Sequence, residues 1–79
     1  MFYAYILRSL KDRKYYYGST KDVQKRLKTH NAGKVRYTKG HLPYVVHYNE
    51  SFATRRDAIA REKFFSIEGY KWLKSNGII

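Results

Sequence analysis

The stretch that decides the fold is Phe2–Gly18, which reads FYAYILRSLKDRKYYYG. Its first part, Phe2–Leu7, is an unbroken apolar and aromatic run, and such a run favours a strand that is buried on both faces. A polar break follows at Lys11–Lys14, and Tyr15–Tyr17 then supply a second run of strong β formers that stops at the glycine. Two short strands around a charged break predict a β-hairpin.

The remaining sequence predicts a helix, a third strand and another helix. Asp22 starts a helical stretch that ends near Gly33, where glycine can terminate a helix. We read residues 34–42 as a basic loop. Pro43 can open an edge strand, and Tyr44–Tyr48, a run rich in β formers, is the predicted third strand.

The second helix is predicted from its start signal. Thr54 is followed three residues later by the acid Asp57, as in a capping box, and the helix should run to about Ile67. One or two further helical turns are expected over 70–74. The order β-β-α-β-α, with a short C-terminal helix, predicts a single α/β (α+β) domain over residues 1–79. Its core should be a three-stranded antiparallel sheet flanked by helices.

Composition narrows the class of function. The chain has 79 residues, with 17 Lys and Arg against 6 Asp and Glu, a net charge of +11 and an aromatic fraction of 18%. Positive charge together with aromatics indicates a polyanionic partner, nucleic acid first and an anionic membrane second. The absence of cysteine excludes disulfides and thiolate zinc sites. No apolar run reaches the ~20 residues that span a bilayer, and we expect a cytoplasmic protein.

Two tyrosines on the predicted hairpin are the first candidate site residues. If the hairpin loop within Lys11–Lys14 has two or four residues, the numbers of two residues that face each other across the hairpin add up to 23 or 25. Tyr16 then lies opposite Leu7 or Ser9, and Tyr5 shares that face because side chains alternate along a strand. A three-residue loop would separate the two phenols. The alternative reading is that both rings simply pack in the core.

Glu62 is the second candidate, because it lies within an apolar stripe. Ala58 precedes it by four residues and Phe65 follows by three, so all three share one face of the predicted helix. A carboxylate among apolar groups is costly unless it is paired, protonated or bound to a metal. An ion pair with Arg61, or a position at the wet edge of the helix, is the alternative.

The first helix and the basic loop carry the remaining candidates. Arg26 and His30 are four residues apart and lie one above the other; arginine fits phosphate oxygens in a bidentate manner, and histidine can contact phosphate or relay a proton. The alternatives are a solvated arginine and a histidine that is favoured by the helix dipole. The loop alternates cations with one aromatic, which is typical of a surface that follows a nucleic-acid backbone, or else of a plain solvated loop. Its candidate binding residues are Lys34, Arg36, Tyr37 and Lys39.

In this order and spacing, the chain resembles the GIY-YIG nuclease superfamily, particularly its small single-domain bacterial members. The two name-giving tripeptides correspond to Tyr3-Ala4-Tyr5 and Tyr16-Tyr17-Gly18. The segments Gly18–Asp22, Lys25–Leu27 and His30-Asn31 resemble the loop and helix that follow the second tripeptide. Arg61–Lys63 resembles the helix that supplies the metal ligand of the family.

The resemblance implies a metal-dependent endonuclease that hydrolyses DNA phosphodiester bonds. It places the general base on Tyr16, the phosphate clamp on Arg26 and the ligand of a divalent Mg²⁺ or Mn²⁺ on Glu62. Tyr5 is implied as a group that positions water or phosphate, and His30 as an auxiliary. Magnesium is often held by one or two carboxylates together with phosphate and water.

The chain departs from the family pattern at three points. Tyr3 stands where the first tripeptide usually has glycine, and Ser19 stands where some repair nucleases have lysine, so Lys21 is the candidate substitute. The only late asparagine is Asn76. The expected partner is DNA, with RNA left open and no membrane. A module that binds nucleic acid with weak or no cleavage is the alternative function.

Overall fold

The computed structural model describes all 79 residues and contains three strands and three α-helices. In the sheet, Phe2–Ser9 (β1) is central between Tyr15–Thr20 (β2) and Tyr44–Phe52 (β3), and both strand pairs are antiparallel. This confirms the predicted fold class and element order, including the short C-terminal helix. The elements are β1 (Phe2–Ser9), β2 (Tyr15–Thr20), α1 (Val23–Asn31), a 3-10 turn (Lys39–His41), β3 (Tyr44–Phe52), α2 (Arg55–Ile67) and α3 (Gly69–Ser75).

The two long helices begin where the sequence predicted, and side-chain caps explain why. The Asp22 carboxylate accepts a hydrogen bond from the backbone N–H of Lys25 at 3.0 Å. At α2, the Thr54 hydroxyl accepts one from the N–H of Asp57 at 3.1 Å. Each cap satisfies a backbone donor that has no partner within its own helix.

The central strand β1 divides the interior into two packed layers. Ala4 and Ile6 face one side, where they form a core with Phe65 of α2 and Leu73 of α3. Their neighbours Tyr5 and Leu7 face the other side, where they pack with Tyr44 and with apolar residues of α1, Val23 and Leu27. All four β1 residues are buried, as predicted for a strand covered on both faces.

The third strand, Tyr44–Phe52, is longer than the predicted strand Tyr44–Tyr48. It runs on through Asn49, Glu50 and Ser51 to Phe52, and these residues pair with the first half of β1. Asn49 and Ser51 are exposed, so the backbone pairing with β1 holds this segment in the sheet although its side chains are polar. No helix of the structure is long and apolar enough to cross a membrane.

Candidate active site

The hairpin register brings the two predicted tyrosines together. Tyr16 pairs with Leu7, so paired positions sum to 23, and Tyr5 lies on the same face of the sheet. The ring centroids of Tyr5 and Tyr16 are 6.4 Å apart. Tyr5 is 1% exposed, whereas Tyr16 is half-buried. The prediction that one face carries both phenols is confirmed.

Gly18 makes room for the Tyr5 ring on the neighbouring strand. The two residues are directly paired, and a Cβ atom at position 18 would lie 2.4 Å from the phenol oxygen and 2.5 Å from Cζ. Such distances are far inside van der Waals contact. The glycine of the second tripeptide is therefore needed here for the close approach of a side chain, and not for an unusual backbone angle.

His30, at the end of α1, is buried beneath the phenols. Its Nε2 atom is hydrogen-bonded to the Tyr5 hydroxyl at 3.2 Å, and its Nδ1 atom to the hydroxyl of Thr38 at 2.8 Å. The ring also meets Tyr16 edge-on, with centroids 4.9 Å apart. His30 has no exposed surface, so its ring is not available for direct contact with a ligand at the protein surface.

The end of α1 is fastened to β3 by the residue after this histidine. The Asn31 side chain donates to the carbonyl of Tyr44 at 3.0 Å and accepts from the N–H of Tyr44 at 2.8 Å. Two bonds from one amide fix the position of the helix end relative to the sheet. Thr38 and this use of Asn31 are the features that sequence reasoning missed. A threonine in a basic loop gives no signal of burial.

Burial sets the ionisation of two groups at this site. It raises the pKa of the Tyr5 phenol to about 12, although the hydrogen bond and the charge of Arg26 oppose the shift. Burial also lowers the pKa of His30 to about 4, and the charge of Arg26 adds to that decrease. Near neutral pH, both the phenol of Tyr5 and the imidazole of His30 are therefore uncharged.

Glu62 is a half-buried carboxylate without a partner. The two residues that flank it on its face of α2, Ala58 and Phe65, are the buried residues of that helix, as the spacing predicted. The carboxylate makes no ion pair, because Arg61 instead donates to Glu50 at 2.8 Å. Its negative charge acts on the Tyr5 phenol. The alternative of an Arg61–Glu62 pair is therefore wrong.

The predicted nucleic-acid contacts lie in two places. In the loop after α1, the three cations Lys34, Arg36 and Lys39 are exposed. Tyr37 of the same loop is 76% exposed, and its ring centroid is 5.7 Å from that of Tyr16. The remaining residue, Lys21, lines a polar cleft of about 500 Å³ together with Arg26.

Glu62 is the only acidic residue whose charge acts on the Tyr5 phenol. No three His, Asp or Glu side chains in the structure are grouped as the ligands of a metal ion. One free carboxylate nevertheless fits a hard divalent cation whose other ligands are phosphate oxygens and water. The donor set is thus suited to a cation that is bound together with substrate.

Comparison with known proteins identifies the family. Residues 1–74 match the model of the GIY-YIG catalytic domain. The chain belongs to the GIY-YIG family. The solution NMR structure of the UPF0213 protein BH0048 from Bacillus halodurans is similar, with a TM-score of 0.56 and 31% identity over 95% of this chain and 81% of that one.

Several relatives from bacteria carry the UPF0213 name, which states no activity. A UPF0213 protein of Bacillus licheniformis is 47% identical over 64 residues, which are 80% of this chain and 65% of that protein. One from Staphylococcus haemolyticus is 44% identical over 61 residues, or 76% of this chain and 73% of its own. The chain spans 64–65% of the length of its Bacillus licheniformis and Bacillus pumilus relatives.

Within this GIY-YIG domain, the departures from the family pattern have simple structural settings. Tyr3 is a half-buried strand residue that pairs with Thr20. Ser19 lines the same polar cleft as Lys21, so a lysine near the end of β2 is present, displaced by two positions. Asn76 caps the end of α3, where its amide donates to the carbonyl of Trp72 at 2.8 Å.

Proposed function

We propose that this protein is an endonuclease that hydrolyses DNA phosphodiester bonds. The observation that carries the proposal is the proximity of Tyr5, Tyr16 and Arg26. The unpaired carboxylate of Glu62 also acts on the Tyr5 phenol through its charge. A phosphodiester needs a proton acceptor for the attacking water and cations for its oxygens, and these groups supply both. Membership in a nuclease family supports this assignment.

The two phenols are suited to different tasks. Tyr5 is buried and its pKa is about 12, so it keeps its proton and serves as a neutral hydrogen-bonding group. Tyr16 is half-buried and reaches solvent, so it can meet an attacking water. We assign to Tyr16 the acceptance of the water proton, and to Tyr5 the positioning of water or phosphate.

Arg26 is assigned to the scissile phosphate. It lies between the Tyr5 phenol and the polar cleft, and its planar guanidinium can bind two phosphate oxygens at once. A fixed cation there stabilises the negative charge that grows on the phosphate during hydrolysis. His30 contributes from the interior, because its hydrogen bond holds the Tyr5 hydroxyl in place.

A divalent cation, Mg²⁺ or Mn²⁺, would be held by Glu62. When bound, such an ion would polarise the phosphate and offset its charge. The half-buried carboxylate has no other partner, and a negative group in this setting gains from binding a cation. Glu62→Gln preserves the size of the side chain and removes this charge.

The loop with Lys34, Arg36 and Lys39 is proposed to follow the DNA backbone, with Tyr37 as a stacking platform beside Tyr16. The triple alanine variant should bind duplex DNA more weakly. The slope of log affinity against log salt should decrease by about 0.9 for each phosphate that the loop no longer neutralises. Sequence preference should change little. Unchanged affinity and slope would remove this loop from the binding surface.

A nucleic-acid-binding module without efficient cleavage is the second candidate. It is favoured by one observation: of the 17 Lys and Arg side chains, only Arg61 is in an ion pair. The unpaired cations of the loop and of the polar cleft can bind phosphates whether or not any bond is cleaved. RNA would be held by the same contacts, so both nucleic acids belong in the binding assay.

A nicking assay on supercoiled plasmid, with Mg²⁺ or Mn²⁺, tests the proposal. We expect nicking by the wild type and strong losses for Tyr16→Phe and Glu62→Gln. The loss for Tyr5→Phe should be smaller. Activity that survives both strong substitutions is contamination, whereas DNA binding without nicking under either metal supports the binding module. A folded Tyr16→Phe protein that cleaves at the wild-type rate would eliminate Tyr16 as the base.

A further inference from the structure

A polar cleft lies where the end of β2, the first half of α1 and the start of α2 meet. It has a volume of about 500 Å³ and no hydrophobic lining residue. Four cations line it, Lys21, Lys25, Arg26 and Arg55, and none of them is in an ion pair. Its only acid is Asp22, whose carboxylate already caps α1.

We propose that this cleft binds a phosphate of the nucleic-acid backbone adjacent to the scissile phosphate that Arg26 holds. The cation excess selects an anion, and the absence of aromatic lining residues excludes base stacking as the source of affinity. The ligand is therefore backbone and not base. Lys25 and Arg55 are the new binding residues, contributed by α1 and α2 respectively.

Arg26 connects this subsite with the candidate active site. It lines the cleft and also acts on the Tyr5 phenol through its charge. A strand whose scissile phosphate lies at Arg26 thus has its neighbouring phosphate directed into the cleft. In this respect the inference rests on the proposed function, although binding in the cleft does not require cleavage.

Binding without metal tests the subsite independently of nicking. The probe is a fluorescein-labelled oligodeoxythymidine of 12 nucleotides, measured by anisotropy in EDTA over a range of NaCl concentrations. The cleft variant is Lys25→Ala with Arg55→Gln, because glutamine keeps most of the side-chain stem of Arg55 and removes only its charged guanidinium, which lies over the Phe2 ring. The matched control is Lys71→Ala with Lys74→Ala on α3, which removes the same charge.

We expect the cleft variant to bind at least about fivefold more weakly, with a salt slope lower by about 0.7 for each phosphate of single-stranded DNA that is no longer neutralised. The control should change affinity by less than about twofold. Equal decreases of affinity in both variants, or no decrease in either, would overturn the subsite. If Lys25→Ala with Arg55→Gln unfolds, Lys25→Ala alone is compared with Lys71→Ala. Selectively weakened binding by the cleft variant, without any nicking by the wild type, would retain the subsite and reject the nuclease.

A second inference concerns the direction of the hydrogen bonds around His30. The Thr38 hydroxyl donates to the carbonyl of Val35 at 3.3 Å, so its oxygen is free to accept from His30 Nδ1 at 2.8 Å. At the other end, Arg26, whose charge acts on the Tyr5 phenol, has no acceptor and cannot take the phenol proton. The phenol proton is then left to be donated to His30 Nε2.

We infer that Thr38 is a positioning residue that fixes the Nδ1–H tautomer of His30. Both residues are completely buried, so no water competes for these bonds. The tautomer makes Nε2 an acceptor, and that acceptor directs the Tyr5 hydroxyl. A loop residue that touches no substrate thereby sets the geometry of the site.

Nitrogen NMR of the histidine ring tests this assignment directly. Long-range proton–nitrogen spectra should show His30 with protonated Nδ1 and bare Nε2 in the wild type and in Thr38→Ser, which retains the hydroxyl. Thr38→Val keeps the side-chain shape and should lose that signature, while His41 and His47 remain unchanged as internal controls. With the proposed activity, Thr38→Val should reduce kcat about tenfold or more and leave metal-free DNA affinity unchanged, and Thr38→Ser should restore kcat.

Two results would overturn the role of Thr38. One is a wild-type spectrum with a protonated Nε2 on His30. The other is a folded Thr38→Val protein whose His30 signals match the wild type. Because the spectra need no cleavage, a failed nicking assay leaves this inference intact and counts only against the nuclease.

Discussion

At the scale of single residues, Gly18 is the position where one atom decides the geometry of the site. A methyl group there would collide with the Tyr5 ring, which is itself held by His30. Gly18→Ala should lower the free energy of unfolding by about 1–3 kcal/mol, the usual cost of overpacking, and displace the phenol. Gly40→Ala is the control, because nothing lies within 4 Å of its added Cβ. Equal thermal melts for the two variants would show that Tyr5 yields without cost.

His30 makes a second residue-scale prediction, on pH. Its pKa is about 4 in the folded protein against 6.5 for an ordinary histidine, so the unfolded chain takes up the proton first as pH falls. The stability due to neutral His30 is therefore complete above pH 6.5 and is lost progressively towards pH 4. Each pKa unit is worth about 1.4 kcal/mol, which gives about 3 kcal/mol in total.

The measurement for His30 is urea unfolding at a series of pH values between 7.5 and 4. The groups that face its ring are Arg26 and the phenols of Tyr5, Tyr16 and Tyr44, and no carboxylate is among them. His30→Gln should therefore flatten the pH dependence between 6.5 and 4. A wild-type slope that persists in this variant would assign it to other groups.

At the scale of elements, α2 carries two neighbouring roles on adjacent residues. Arg61 binds Glu50 of β3 and lies over the rings of Phe65 and Trp72, while Glu62 has no partner. Glu50→Gln should therefore destabilise the fold by about 1–3 kcal/mol, since it weakens bonds to a charged group. Glu62→Gln should leave stability equal or slightly higher and abolish nicking.

Thermal melts and plasmid nicking on the same two preparations give the comparison. The two substitutions are chemically identical, so each is the control for the other. Glu50→Gln should lower stability and leave nicking per folded molecule unchanged. Glu62→Gln should abolish nicking and leave stability equal or slightly higher. A Glu62→Gln protein that melts lower and nicks normally would make this carboxylate a structural group.

The elements also show what the sequence can and cannot predict. The placement of Tyr5 and Tyr16 on one face of the sheet was predictable for a loop of even length, because side chains alternate along a strand. The helix starts at Asp22 and Thr54 were predictable because local hydrogen bonds set them. The Glu50–Arg61 pair and the burial of Thr38 were not predictable. They depend on how separate elements pack, which no local spacing encodes.

At the scale of the whole molecule, charge imbalance opposes folding and favours binding. A net charge of +11 is confined to a radius of gyration of 12.0 Å, and of the 17 Lys and Arg side chains only Arg61 is in an ion pair, with Glu50. Repulsion among the unpaired cations destabilises the compact state. Salt screens that repulsion, since the Debye length falls from about 30 Å at 0.01 M to about 8 Å at 0.15 M.

The same salt should therefore move stability and affinity in opposite directions. Raising NaCl from 10 to 150 mM should increase Tm, measured by circular dichroism, while DNA affinity falls steeply because binding releases counterions. Lys71→Glu with Lys74→Glu on α3 lowers the net charge from +11 to +7, so this variant should have a higher Tm than the wild type at 10 mM and a smaller rise with salt. A wild-type Tm that does not change with salt, or a variant with the same salt response, would mean that self-repulsion contributes nothing measurable. The unpaired cations would then affect only DNA binding, and removing some of them would not stabilise the fold.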